Sequence, residues 1–146
     1  MLVEKIEYKW LAAFTRTFTL CKVQPGEVVA ILSETQSRRV NVELARLALE
    51  GMGAKVFEVT LTTPALTAPA PVRSTGASDA IQQLGPVVAA LARADMVVDC
   101  TVEGLLHAPE LLEHPRAGPV DVGAFSEDDV GEAHAEHRVA AYCFDP

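Results

Sequence analysis

Met96-Val-Val-Asp-Cys-Thr-Val-Glu-Gly-Leu-Leu-His-Ala-Pro-Glu110 joins an apolar run of strand length to a polar cluster, a glycine and then a histidine. Such a run reads as a strand buried on both faces of a parallel sheet. In an open α/β sheet, residues just past the carboxyl end of a buried strand lie in the crevice where ligands collect, because loop groups there do not compete with the ladder hydrogen bonds. His107 is therefore the first functional candidate, and the rest of the chain has to supply the sheet.

The upstream sequence supplies it. Residues 4–21 read as a helix with Ile6, Trp10, Ala13, Phe14 and Cys21 on one stripe, widened by Leu11 and Phe18. Gln24-Pro-Gly-Glu27 punctuates, and Val28-Val-Ala-Ile-Leu32 follows as a second buried strand. Arg39 to Met52 spaces Val40, Leu44, Leu47, Ala48 and Gly51 as a helix, and Gly51-Met-Gly53 supplies residues that tolerate a left-handed ending. Lys55-Val-Phe-Glu-Val59 is the next strand, so strand, helix and strand form a βαβ unit. Pro64, Pro69 and Pro71 make residues 62–75 a loop. Helical periodicity resumes over 77–84, breaks at Gly85-Pro86, and continues over 87–93 with Pro86 suited to a helix start. The expected fold is α/β, a three-stranded parallel half of a doubly wound, Rossmann-like sheet with flanking helices.

Composition narrows the classes. At 146 residues the chain is long enough for one core without metal or disulfide staples. No apolar run approaches the ~18 residues of a membrane helix, and charges at Glu4, Lys5, Glu7 and Lys9 occupy the place of a secretory signal's apolar centre, which points to a cytoplasmic protein. Cys21, Cys100 and Cys143 are too far apart for a thiolate zinc site and read as reduced thiols. A net charge of −8 argues against nucleic acid as a partner. From Pro115 onward seven acidic residues face two arginines, so −5 of that charge sits in the last 32 residues. Residues 1–114 accordingly read as the α/β domain and 115–146 as an atypical, poorly structured acidic tail, with a possible edge strand over 121–125.

The stretch Ala94-Asp-Met-Val-Val-Asp-Cys-Thr-Val-Glu-Gly-Leu-Leu-His-Ala-Pro-Glu-Leu-Leu112, together with the earlier Leu20-Cys-Lys-Val-Gln-Pro-Gly-Glu-Val-Val-Ala-Ile-Leu32, resembles the amino-terminal domain of 2,5-dihydroxypyridine 5,6-dioxygenase and its leucyl-aminopeptidase-like (aminopeptidase T) relatives. The resemblance runs from about Trp10 to Glu113. It implies a two-part, metal-dependent enzyme whose larger carboxyl-terminal part holds the metal. In the dioxygenase branch that metal is a non-haem Fe(II) on two histidines and a carboxylate, which opens a small aromatic substrate, the dihydroxypyridine ring, with O2; in the peptidase branch it is a pair of metals. No metal is expected on this chain itself. On this reading the chain is the amino-terminal fragment of a ring-cleaving dioxygenase, inactive alone, and a homo-oligomer. The departure from the family wording near His114 suggests a truncated or frame-shifted product. The alternatives are the amino-terminal domain of a metallo-aminopeptidase, or a non-enzymatic α/β module that binds an anion or docks in an oligomer through Trp10, Phe14 and Phe18.

The same resemblance places Leu106 and His107 at the mouth of the dioxygenase pocket, with His107 as catalytic acid/base. An imidazole with a near-neutral pKa is suited to taking a proton from a ring hydroxyl; the bland reading is a loop histidine bonded to backbone. Glu103, four residues before His107, either orients it or forms a surface pair. Thr101 either lines the crevice as a substrate contact or caps the next turn. Asp99 and Cys100 are adequately explained by packing. His134-Ala-Glu-His137 has metal-ligand residue types but no apolar shell, and reads as solvated tail. Ser33-Glu-Thr-Gln-Ser37 sits where a phosphate loop would be, yet lacks its glycines and lysine, and is better read as a cap for the following helix.

Overall fold

The computed structural model describes residues 5–65, 78–105 and 138–141. Helix α1 spans Tyr8–Leu20, strand β1 Val28–Glu34, helix α2 Arg39–Gly51, strand β2 Lys55–Leu61, helix α3 Gly85–Leu91, strand β3 Met96–Cys100 and strand β4 Arg138–Ala141. The strands are all parallel, in the order β2-β1-β3-β4. The expected α/β class and its three parallel strands are therefore present. β4 adds a fourth in a stretch with no apolar stripe. An edge strand gains its place from ladder hydrogen bonds, which need no side-chain periodicity. The edge strand anticipated over 121–125 lies outside the described residues.

Burial follows strand position. β3 is buried at all five residues, β1 at all but Val28, whereas β2, at the sheet's edge, is exposed or half-buried throughout. Alternate side chains of β1 face two separate cores. Val29 and Ile31, with Val98 and Cys100, pack under α1 and α2 against Phe14, Phe18, Val40, Leu44 and Leu49. Ala30 and Leu32, with Val97, pack on the other face against Ile81, Leu91 and Leu105. Burying an aromatic or large aliphatic side chain contributes roughly 1.5–3 kcal/mol, and Phe18, Ile31, Leu32 and Leu49 are all at 0% exposure.

Several expectations need correction. α1 begins at Tyr8, and Ile6 and Ala13 are exposed. Phe14 and Phe18 meet edge to face inside the first core, so they do not form the oligomer-docking face of the alternative, non-enzymatic reading. α2 buries Val40, Leu44 and Ala48 as the spacing predicts, plus Val42, Ala45 and Leu49, while Leu47 is half-buried and Gly51 exposed. The described part of 77–84 is a series of turns, ending where Gln83 takes φ 59; a positive φ at a residue other than glycine is incompatible with a continuing right-handed helix. α3 starts at Gly85 with Pro86 in its first turn.

The amino-terminal edge of the sheet is closed by backbone. Gly53 takes φ 85 after α2, and Gly53 N and Ala54 N donate to the carbonyls of Glu50 and Leu49 at 2.9 and 3.1 Å. This is the paired capping pattern of a helix ending in a left-handed residue. Gly53 O then accepts from Gly26 N at 2.8 Å, and the Asp95 carboxylate accepts from Val28 N at 2.8 Å. The start of β1 is thereby tied to the starts of β2 and β3.

Candidate functional site

Successive connections place their strands on opposite sides of β1. α2 carries the chain from β1 to β2 on one side, and the route through α3 returns it to β3 on the other. In a doubly wound sheet the carboxyl ends of two such strands part and leave a crevice between them. Here that point lies between Ser33-Glu34 and Cys100-Thr101.

Polar burial marks the same edge. Ser33, Glu34, Ser37, Ser78, Asp99 and Thr101 are the buried polar or charged residues among those described, and each lies at the carboxyl end of β1 or β3 or on a segment that meets it. In parallel register Leu32 pairs with Asp99, so Glu34 and Asp99 project from the same face of the sheet, that of the α3-side core.

Asp99 holds the loop that leaves β3. Its Oδ1 accepts from Thr101 N at 2.9 Å and Thr101 Oγ1 at 2.6 Å, and its Oδ2 accepts from Leu105 N at 2.6 Å. Thr101 Oγ1 in turn accepts from Gly104 N at 3.1 Å, and Gly104 turns the chain at φ 79. The Asp99 pKa is nevertheless raised above its ordinary value. Burial is the largest cause, opposed by the hydrogen bonds from Thr101 and Leu105 and reinforced by the neighbouring Glu34 charge.

Glu34 is held from the other side. Ser78 Oγ accepts from Ala80 N at 3.1 Å and donates to Glu34 Oε1 at 2.8 Å, while Ser78 N donates to Gly104 O at 2.7 Å. Ser78 thus couples the β1 end to the loop after β3. Glu34 is 1% exposed, and its Oε2 has no hydrogen-bond partner among the described residues. Ser37 does not cap α2; its hydroxyl accepts from Glu34 N at 2.6 Å, and Arg38 occupies the N-cap position with no side-chain hydrogen bond to the helix's first N–H groups. Farther out, Ser33 bonds Thr60, and Thr35 and Thr63 bond each other's side chain or backbone, fastening β1 to β2.

Of the residues singled out from the sequence, Thr101 and Glu103 are described. Thr101 is buried in the Asp99 network and its hydroxyl proton is committed to Asp99. Glu103 is half-buried beside Gly104. Leu106 and His107 lie outside the described residues, immediately after Leu105, which is fully buried and bonded to Asp99. Glu34 and Ser78 escaped the sequence reading. A carboxylate inside the apolar run at Asp99 was the available signal; Glu34 looked like ordinary loop polarity because nothing in its neighbours forecast two more residues of strand.

Among the described residues no group of three His, Cys, Asp or Glu is placed to hold a metal ion. The four histidines, at 107, 114, 134 and 137, all lie outside them. No described helix is long and apolar enough to cross a membrane.

Residues 9–120 match the family model described as 2,5-dihydroxypyridine 5,6-dioxygenase, NicX. The fold matches the structure of 2,5-dihydroxypyridine dioxygenase from Pseudomonas putida KT2440 with a TM-score of 0.64 and 26% identity, over 74% of this chain and 31% of that one. The chain thus spans about a third of the length of that neighbour. No curated protein matches.

Proposed function

Because the chain belongs to the 2,5-dihydroxypyridine 5,6-dioxygenase family, we propose that its α/β domain forms one wall of the substrate site in an enzyme that opens a dihydroxypyridine ring with O2. The observation that carries this reading is the coincidence of the family match with a switch-point crevice whose β3 loop runs directly into Leu106-His107. Leu106 packs on the ring at the mouth of the pocket, and His107 takes the proton of a ring hydroxyl, so that the substrate binds as its anion. Glu103 orients the imidazole, and Thr101 shapes the rim through its hold on Asp99 and Gly104.

Membership of a dioxygenase family implies a metal cofactor, for which we propose Fe(II). The described residues do not fit such a centre: their buried crevice carboxylates are Glu34 and Asp99, and three hydrogen bonds already occupy Asp99. The part played by these residues is to bind, orient and deprotonate. A cytoplasmic homo-oligomer acting on a small aromatic substrate, with neither nucleic acid nor membrane as partner, completes the reading; the net charge of −8 supports excluding nucleic acid.

The test is a hybrid in which residues 1–113 replace the corresponding part of the Pseudomonas putida enzyme. Ring opening is followed by loss of substrate absorbance and by O2 uptake. The hybrid is expected to turn over, and His107→Ala to lower kcat by about 10²–10⁴-fold without changing the thermal midpoint. Unchanged turnover in that variant removes the role assigned to His107.

A further inference from the structure

Glu34 Oε2 is a buried carboxylate oxygen with no partner among the described residues. Leaving a buried acceptor unsatisfied costs stability, and in folded proteins such groups are few and each calls for a cause. This oxygen is not an ill-placed rotamer at the end of a free chain. Its twin, Oε1, is pinned by the Ser78 hydroxyl, and Ser78 is itself fixed by Ala80 N and by the bond from its own N–H to Gly104 O. Ser78 Oγ accepts from Ala80 N and gives its proton to Glu34, so Oε1 is an acceptor. The second carboxylate on this face, Asp99, raises the local negative potential and is saturated with donors from Thr101 and Leu105. A fixed acceptor oxygen at the switch point selects a group that presents an N–H toward it over one that presents a lone pair.

We propose that Glu34 Oε2 receives the ring N–H of a 2-hydroxypyridine bound as its lactam tautomer, which makes Glu34 a residue that positions and selects the substrate. This rests on the dihydroxypyridine reading above for the substrate class and deepens it. A lactam presents one N–H beside one carbonyl oxygen, so an acceptor at Oε2 fixes the ring's rotation in its plane. It also discriminates against rings whose nitrogen carries no proton, because those leave the buried oxygen unpaired.

The test uses the full chain and three probes: 2-pyridone, N-methyl-2-pyridone and 2,5-dihydroxypyridine, titrated calorimetrically into the wild type and Glu34→Gln. The expected result is that the wild type binds 2-pyridone at least about tenfold more tightly than its N-methyl analogue, and that Glu34→Gln, which offers Oε1 to Ser78 and an amide NH2 in place of Oε2, abolishes the difference. The N-methyl comparison needs no variant, so equal binding of the two pyridones still overturns the proposal if Glu34→Gln fails to fold. Equal binding of the two pyridones by the wild type, or binding of neither, overturns the proposal. Discrimination through Glu34 without binding of 2,5-dihydroxypyridine upholds the acceptor and removes the dihydroxypyridine reading. Binding of 2,5-dihydroxypyridine with equal affinity in both proteins leaves that reading standing and overturns the role of Glu34.

Discussion

Asp99 shows at the scale of one residue how a charge inside an apolar strand is made tolerable. Replacing it with Ala strips the buried N–H groups of Thr101 and Leu105 of their acceptor, and each orphaned donor costs about 1–3 kcal/mol. A loss of at least about 2 kcal/mol in urea unfolding is expected; a loss below half of that would mean the loop finds other acceptors. Asp99→Asn removes the titrating group, so the pH dependence of the difference reports its ionisation. The folded-state pKa lies above the ordinary 3.8, chiefly through burial. Below the unfolded value Asp99 is neutral in both states and the penalty for burying its charge is absent. As pH rises from there through the raised folded value, the unfolded chain ionises first and is favoured, and above that window the penalty is constant. The stability of the wild type minus that of Asp99→Asn therefore falls with rising pH across the window and then levels off, in unfolding curves recorded at a series of pH values. A difference that rises with pH would show that the three hydrogen bonds outweigh desolvation.

At the scale of elements, the legible features were those with a local cause. The apolar runs at Val28 and Met96, the helical spacing of Val40, Leu44 and Ala48, and the glycine after α2 all describe a single segment's own burial or backbone, and all reappear in the structure. What could not be read depends on distant partners. Glu34 extends β1 because β2 runs on to Leu61 beside it, and Ser78 matters only because Gly104 meets it. Two glycines separate these causes experimentally. A Cβ on Gly53 would stand 3.2 Å from Pro25 Cβ at a residue with φ 85, whereas Gly51 sits in α2 with nothing within 4 Å. Gly53→Ala is expected to destabilise by roughly 1–2 kcal/mol, and Gly51→Ala to stabilise by up to about 1 kcal/mol. Thermal midpoints moving in the same direction for both would refute the capping account.

For the whole molecule the question is what the acidic carboxyl-terminal stretch contributes. Among the described residues, the buried members of both cores lie between Phe14 and Leu105. β4 adds parallel pairing along Met96 to Asp99, and so brings hydrogen bonds to β3 without which that strand presents an open edge. Cooperativity should therefore reside in residues 5–105, and protection of the β3 edge in 138–141. Deleting residues 138–146 is expected to leave a single cooperative unfolding transition with a slightly lowered midpoint. Amide exchange should accelerate in β3 while β1 and β2, paired with each other in full register, keep their protection. The bared edge lies on the far side of β3 from the crevice, but the same strand's carboxyl end carries the Asp99 and Thr101 fastening of the loop. Faster exchange at Thr101 and Leu105 in the deletion variant would mean that the fourth strand steadies the site as well as the sheet. Loss of cooperative unfolding altogether would mean that the acidic stretch is part of the core, against the division of roles drawn from the two clusters.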